Sequence, residues 1–108
     1  MADKDVTNLI ERLEAFEDRL GISLEGLFAT MDEDGDLRVN GELHLREGTE
    51  LDQDVEVVAT VYDSSGRVLY TRSDSIYSDS FFAFEPFSFS LYLEGYQPAR
   101  VRVYPKIR

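Results

Sequence analysis

The chain contains no cysteine and no tryptophan, and among its 108 residues there are three prolines, two methionines and one histidine. Without cysteine there is neither a disulfide framework nor a thiolate metal site. A domain of this size must then be held by its hydrophobic core alone. A single histidine leaves a transition-metal centre short of ligands and gives only one residue able to activate a serine. No apolar run approaches the length of a membrane span, so no membrane insertion is expected. The opening Met1-Ala2-Asp3-Lys4-Asp5 lacks the charged-then-apolar pattern of a secretion signal, and a cytoplasmic location is expected. Positive charge is scarce as well: 11 Lys and Arg face 22 Asp and Glu, a formal net charge of −11. The imbalance is uneven, because residues 1–56 hold 17 acidic and 5 basic side chains while residues 57–108 hold 5 and 6. Such a surface repels phosphate backbones and anionic lipid, which excludes nucleic acid as the expected partner.

What is present suffices for one core. With 43% hydrophobic residues, the length and composition predict a single domain over 1–108. Val6, Leu9, Leu13, Phe16 and Leu20 recur at spacings of three and four, which predicts an amphipathic helix over 5–20, closed by a left-handed Gly21. The period then changes to two. Leu37, Val39, Leu43 and Leu45 alternate with polar residues, as do Val55, Val57, Ala59 and Val61, and later Phe87, Phe89, Leu91 and Leu93. Leu24–Met31 is apolar but irregular and reads as a further strand. Asp32–Asp36 and Asp63–Gly66 read as hairpin turns. Ser73–Ser80 reads as a loop, Glu85-Pro86 as a break in the ladder, and Val101 with Val103 as a last strand before Pro105. The expected fold is mainly β: an antiparallel immunoglobulin-like β-sandwich of six or seven strands over 24–104, preceded by one N-terminal amphipathic α-helix.

Two stretches carry a family resemblance. Val57-Val58-Ala59-Thr60-Val61-Tyr62-Asp63-Ser64-Ser65-Gly66-Arg67-Val68-Leu69, followed by Pro86-Phe87-Ser88-Phe89-Ser90-Leu91, resembles the FxLYD and CARDB-type immunoglobulin-like domains of prokaryotes. There, a strand ends in a Tyr-Asp turn with glycine and a later strand restores the apolar–polar alternation. The resemblance spans residues 37–104 and implies a fold without an activity. Those domains usually lie outside the cell behind a signal or anchor, and an N-terminal helix is not part of their pattern.

Chemistry-bearing residues are few. Asp32, Asp34 and Asp36 stand at alternate positions, the spacing by which carboxylates converge on calcium. An EF-hand loop would need glycine where Leu37 stands and glutamate where Leu43 stands, so the segment reads as a solvated turn. No metal and no cofactor is expected. His44 alternates outward beside Glu42 and Arg46 and reads as a surface residue. No serine lies in a nucleophile elbow, and no glycine-rich phosphate loop is present. An enzyme would have to work with carboxylates, of which Glu85 is one candidate and not a constellation. The aromatics Tyr77, Phe81, Tyr92 and Tyr96 are expected to point outward as a carbohydrate or peptide platform, or to be covered by the helix. Arg100, Arg102, Lys106 and Arg108 are expected to pair with acidic neighbours or to dock an acidic partner. The leading expectation is a non-catalytic protein–protein interaction or assembly module. It would dock, or self-associate into a homo-oligomer, through Val6, Leu9, Leu13, Phe16 and Leu20 or through the aromatic face. The alternative is a sandwich binding calcium or carbohydrate, and an enzyme ranks third.

Overall fold

The computed structural model describes residues 3–108. In chain order the strands are β1 (Lys4–Asp5), β2 (Ile10–Arg12), β3 (Ile22–Met31), β4 (Leu37–Leu45), β5 (Val55–Tyr62), β6 (Val68–Ile76), β7 (Phe84–Leu91) and β8 (Arg100–Ile107), with one short helix, α1 (Glu14–Leu20), between β2 and β3. The first sheet has the order β1-β3-β4-β7 and the second β2-β8-β5-β6. All pairings are antiparallel except that of β2 with β8. The alternating residues do what their period requires. Leu24, Leu37, Val39, Leu43, Phe87, Phe89 and Leu91 from one sheet join Val55, Val57, Ala59, Val61, Val101 and Val103 from the other in a single buried cluster. Each valine, leucine or phenylalanine among them contributes about 1.5–3 kcal/mol when withdrawn from water.

The N-terminal segment departs from the helix expected over 5–20. Only Glu14–Leu20 is α-helical, with Gly21 in the left-handed conformation as its C-cap. Residues before it form β1, a 3-10 turn over Thr7–Leu9, and β2. Two forces outweigh the helical period. Val6, Thr7 and Ile10 are β-branched, which weakens a helix. Both sheets also present a bare strand edge that this segment covers, β1 on the first and β2 on the second, and an uncovered edge is a liability. The amide of Val6 donates to the carbonyl of Ala29 (2.8 Å). The Thr7 hydroxyl accepts from the Ala29 amide (3.1 Å).

One ion pair completes that cover. Glu17 on α1 is fully buried and receives Nε and Nη2 of Arg12 at 3.0 and 2.6 Å. Glu17 Oε1 also accepts the amide of Leu24 (3.0 Å), while Arg12 Nη2 donates to the carbonyl of Leu24 (2.7 Å). The two side chains thus occupy both backbone groups that a neighbouring strand would have bonded at Leu24. They also tie β2 of the second sheet, α1 and β3 of the first sheet at one point. Hydrogen bonding to Glu17 raises the Arg12 pKa above its ordinary value, so the guanidinium stays charged.

Other boundaries shift for similar reasons. β6 continues to Ile76, through residues expected to be a loop. Ser73 and Ser75 pair with Val58 and Glu56 on the solvent face, while Arg72 and Asp74 lie opposite Ala59 and Val57 on the side that faces inward. Both nevertheless remain exposed, and Arg72 Nη1 donates to the Ser90 carbonyl (3.2 Å). Inward-directed charge of this kind guards an edge strand against pairing with another chain. β7 runs through Pro86, opposite Glu42. As the outer strand of its sheet it tolerates a residue without an amide donor. β8 likewise runs through Pro105, beyond the stretch Val101–Val103 that β2 covers.

The turns behave as expected. Asp32 Oδ1 accepts the amides of Asp34 and Asp36, and Asp63 Oδ1 accepts those of Ser65 and Arg67. Hydrogen bonds hold the carboxyls of Asp63 (to Ser65 and Arg67) and Asp54 (to Ser78) below the ordinary 3.8. Groups depressed in the folded state contribute stability above the unfolded value and lose it as pH falls through the folded one. The urea midpoint should therefore be insensitive to these two groups from pH 7 to about 5 and fall below about 4. Asp63→Asn should lose less between pH 4 and 2 than the wild type. An identical acid profile for the two proteins would contradict this assignment.

Arg12→Ala leaves the buried Glu17 carboxylate without its partner and should cost about 3–5 kcal/mol, somewhat less where water reaches the partly exposed guanidinium site. Calorimetry should show a fall in Tm of more than about 10 °C. The Arg12→Met, Glu17→Met double variant should lose less than Arg12→Ala alone, a non-additivity that independent sites would not give.

Candidate functional site

The solvent face of the first sheet is laid out by register. Crossing from β3 through β4 to β7, it presents the rows Ser23–His44–Phe84, Glu25–Glu42–Pro86, Phe28–Asn40–Ser88 and Thr30–Arg38–Ser90. Phe28 belongs to this face only because a bulge interrupts β3 between Glu25 and Phe28. Gly26, at φ 63°, supplies the left-handed residue that the bulge requires. Across from the bulge lies Gly41, buried at the floor of a groove. A Cβ there would stand 2.8 Å from both Leu27 Cδ2 and Phe87 Cζ. The ring of Phe87, directly opposite on β7, fills the space a side chain would have taken.

The result is an open groove of about 730 Å³ on the sheet, lined by Phe28, Asn40, Glu42, Pro86 and Ser88, with Asp74 reaching in from β6. Phe28 and Phe84 are 48% and 50% exposed. Phe84 stacks on the imidazole of His44 at 5.2 Å and 13°, and His44 Nε2 lies 2.9 Å from Glu42 Oε1. Glu25 and Glu42 stand directly opposite one another, an arrangement that costs stability. Glu25 accepts a hydrogen bond from Ser23.

The solvent face of the second sheet is different in kind, because Arg102 and Lys106 meet acids of the same chain and Arg100 lies on an aromatic ring, its Nε buried without a hydrogen-bond partner among the described residues. Arg102 Nε meets Glu11 Oε1 at 2.8 Å and Lys106 Nζ meets Glu56 Oε1 at 3.2 Å. The guanidinium groups of Arg100 and Arg102 lie over the ring of Tyr62 at 4.8 and 5.1 Å. Arg108 lies over Tyr77 at 5.2 Å and donates to Ser75 Oγ.

The residues expected to bind are dispersed. Val6 is in the core, Leu9 and Leu20 pack against it, and Leu13 is half-buried. Phe16 remains 42% exposed with its ring 5.2 Å from that of Tyr104. The apolar stripe is thus spent largely inside its own chain. Phe81 is buried, which corrects its expected outward position, and it is Phe82 that faces solvent. Tyr77 lies beside Arg108 at one end of the sheets. Tyr92, edge-on to Tyr70, and the exposed Tyr96 lie at the other end, so they form no common platform with Tyr77. Of the acidic turn, Asp32 serves the amides named above and Asp36 Oδ1 accepts the amide of Leu93 (2.8 Å). Among the described residues no three His, Cys, Asp or Glu side chains converge on a common point. Glu85 pairs opposite Leu43 on β7. Phe28, Phe84 and Pro86, which do share a face, were not marked as site residues by pattern. Gly26 in the irregular stretch was the signal available for Phe28.

Compared with known proteins, the chain matches no family model, no curated protein and no solved structure. Among the described residues no helix is long and apolar enough to cross a membrane.

Glu25→Gln should relieve the cross-strand repulsion and raise stability by a few tenths of a kcal/mol, roughly the lower end of such pair effects. The gain should shrink in high salt. A urea melt showing no gain at low ionic strength would mean that the two carboxylates are splayed apart.

Proposed function

We propose that this chain is a non-catalytic interaction module that docks a partner protein on the solvent face of its first sheet. The observation that carries the reading is the placement of two half-exposed phenylalanines, Phe28 and Phe84, with the exposed Pro86 on one hydrogen-bonded sheet. Aromatics held on a rigid scaffold lose little freedom on binding and serve as anchors. Docking through a face also agrees with the state of the edges. β1, β2 and the Arg12–Glu17 pair cover one side, and inward charge on β6 with Pro86 on β7 blunts the other, so adding a strand is disfavoured.

The architecture we propose is a variant of the two-sheet sandwich of immunoglobulin-like domains. Support comes from the single core enclosed by both sheets and from the division of the N-terminal segment between them. The strand order differs from the ABED and CFG sheets of an immunoglobulin constant domain, since β3 lies beside β4 and β4 beside β7. The kinship is therefore one of architecture rather than connectivity.

The test is retention of proteins from source-cell extract on the immobilised chain. Phe28→Ser with Phe84→Ser should abolish retention, each truncation costing roughly 2 kcal/mol or more if the ring is an anchor. A Tyr104→Ser control on the opposite face should retain what the wild type does. Equal retention by all three proteins would remove the docking reading.

A further inference from the structure

Resting on that docking reading, the geometry points to a basic peptide segment as the occupant of the groove, one carrying arginine or lysine beside an apolar residue. We infer this from the charges that line and flank it. Glu42 and Asp74 line the groove, and Glu25 stands directly across from Glu42. Among the described residues, the side-chain nitrogen within ion-pair distance of Glu42 is Nε2 of His44, at 2.9 Å. Elsewhere individual acids meet guanidinium or ammonium groups of the chain, at Glu11, Glu17, Asp18 and Glu56. Among the described residues neither Glu25 nor Glu42 has a guanidinium or ammonium group within ion-pair distance, although the Arg12 guanidinium, bonded to the Leu24 carbonyl, lies within the field of Glu25.

A guanidinium entering the groove would set its charge between the carboxylates and its plane against the ring of Phe28. Its aliphatic stem would lie along Pro86. Asn40 and Ser88, in the same row as Phe28, would be available to the peptide backbone. A net charge of −11 steers basic partners inward over long range and opposes the approach of a second copy of the same chain.

The test is a titration of isotope-labelled protein, followed by amide shifts, with a short peptide alternating arginine and leucine. Peptides alternating glutamate or serine with leucine serve as comparison. With the arginine peptide, shifts should concentrate at Phe28, Asn40, Gly41 and Ser88, and affinity should fall as salt is raised. The Glu42→Gln, Asp74→Asn double variant, with its spectrum otherwise unchanged, should bind about tenfold more weakly. Shifts scattered over Asp32–Asp36 and Glu47–Asp52, or undiminished affinity in the double variant, would overturn the proposal. So would tighter binding of the glutamate peptide. If the serine peptide binds the face as well as the arginine peptide does, the basic occupant is wrong and the docking face survives. If no peptide shifts the face, both readings fall.

Discussion

The structure hangs on the charged fork between Arg12 and Glu17. A two-sheet protein of this size has four lateral edges, and each exposes backbone donors and acceptors that must be satisfied or guarded. At Leu24, on the side of β3 away from β4 and beyond the reach of β1, a carboxylate takes the amide and a guanidinium takes the carbonyl. A lone buried carboxylate would be expelled, and a lone guanidinium would leave the Leu24 amide unpaired. Together they imitate a strand over one residue. Because Arg12 is on the second sheet and Leu24 on the first, the fork also fixes the spacing of the two layers beside α1. That explains why the helix is short. Its task is to deliver Glu17 to a strand edge, for which two turns suffice, rather than to shield a large apolar surface.

With the edges closed, the two solvent faces are what remains to the molecule, and they have been treated in opposite ways. On the face of the second sheet two of the basic side chains of β8, Arg102 and Lys106, form ion pairs, and Arg100 and Arg102 lie over the ring of Tyr62. Exposed pairs of this sort add little stability individually, but each removes one charge from the face. The face of the first sheet carries exposed phenylalanines and facing glutamates, both of which cost something in isolation. A sheet optimised for stability alone would have placed threonine or a cation at such positions. Local choices that oppose stability, here only partly offset by the stacking of Phe84 on His44 and the contacts of Glu42 with His44 and of Glu25 with Ser23, are the ground on which the docking proposal stands.

Legibility in the sequence followed the physical basis of each signal. Strands buried on one side announced themselves, since Leu37, Val39 and Leu43 or Phe87, Phe89 and Leu91 can satisfy one core only by alternating. The same period-two logic failed for β6, whose inward positions hold Arg72 and Asp74 between the core residues Tyr70 and Ile76, because those two reach the edge strand β7, Arg72 at the Ser90 carbonyl and Asp74 beside Pro86 and Ser88. The N-terminal segment misled because Val6, Leu9 and Leu13 satisfy helical spacing while also being placed, through β1, a 3-10 turn and β2, against a two-layer core. The decisive competitor was a tertiary one, the bare edges of β3 and β8, which no local window contains. Gly41 was equally silent, as its role is defined by a ring forty-six residues later.

The candidate site was less legible than the fold for a related reason. Phe28 reaches the solvent face through a one-position slip at a bulge, and a slip of one residue exchanges the two faces of a strand. Had β3 run without the bulge, Phe28 would have been directed into the core and Leu27 outward, and the row Phe28–Asn40–Ser88 would not exist. The bulge in turn depends on Gly41, since only a residue without a side chain leaves room for Leu27 to turn inward beside Phe87. A glycine on β4, a phenylalanine on β7 and a kink on β3 are therefore one device. It gives up a stretch of regular ladder, and in return it places an aromatic ring beside Glu42 in a groove that Asp74 also lines.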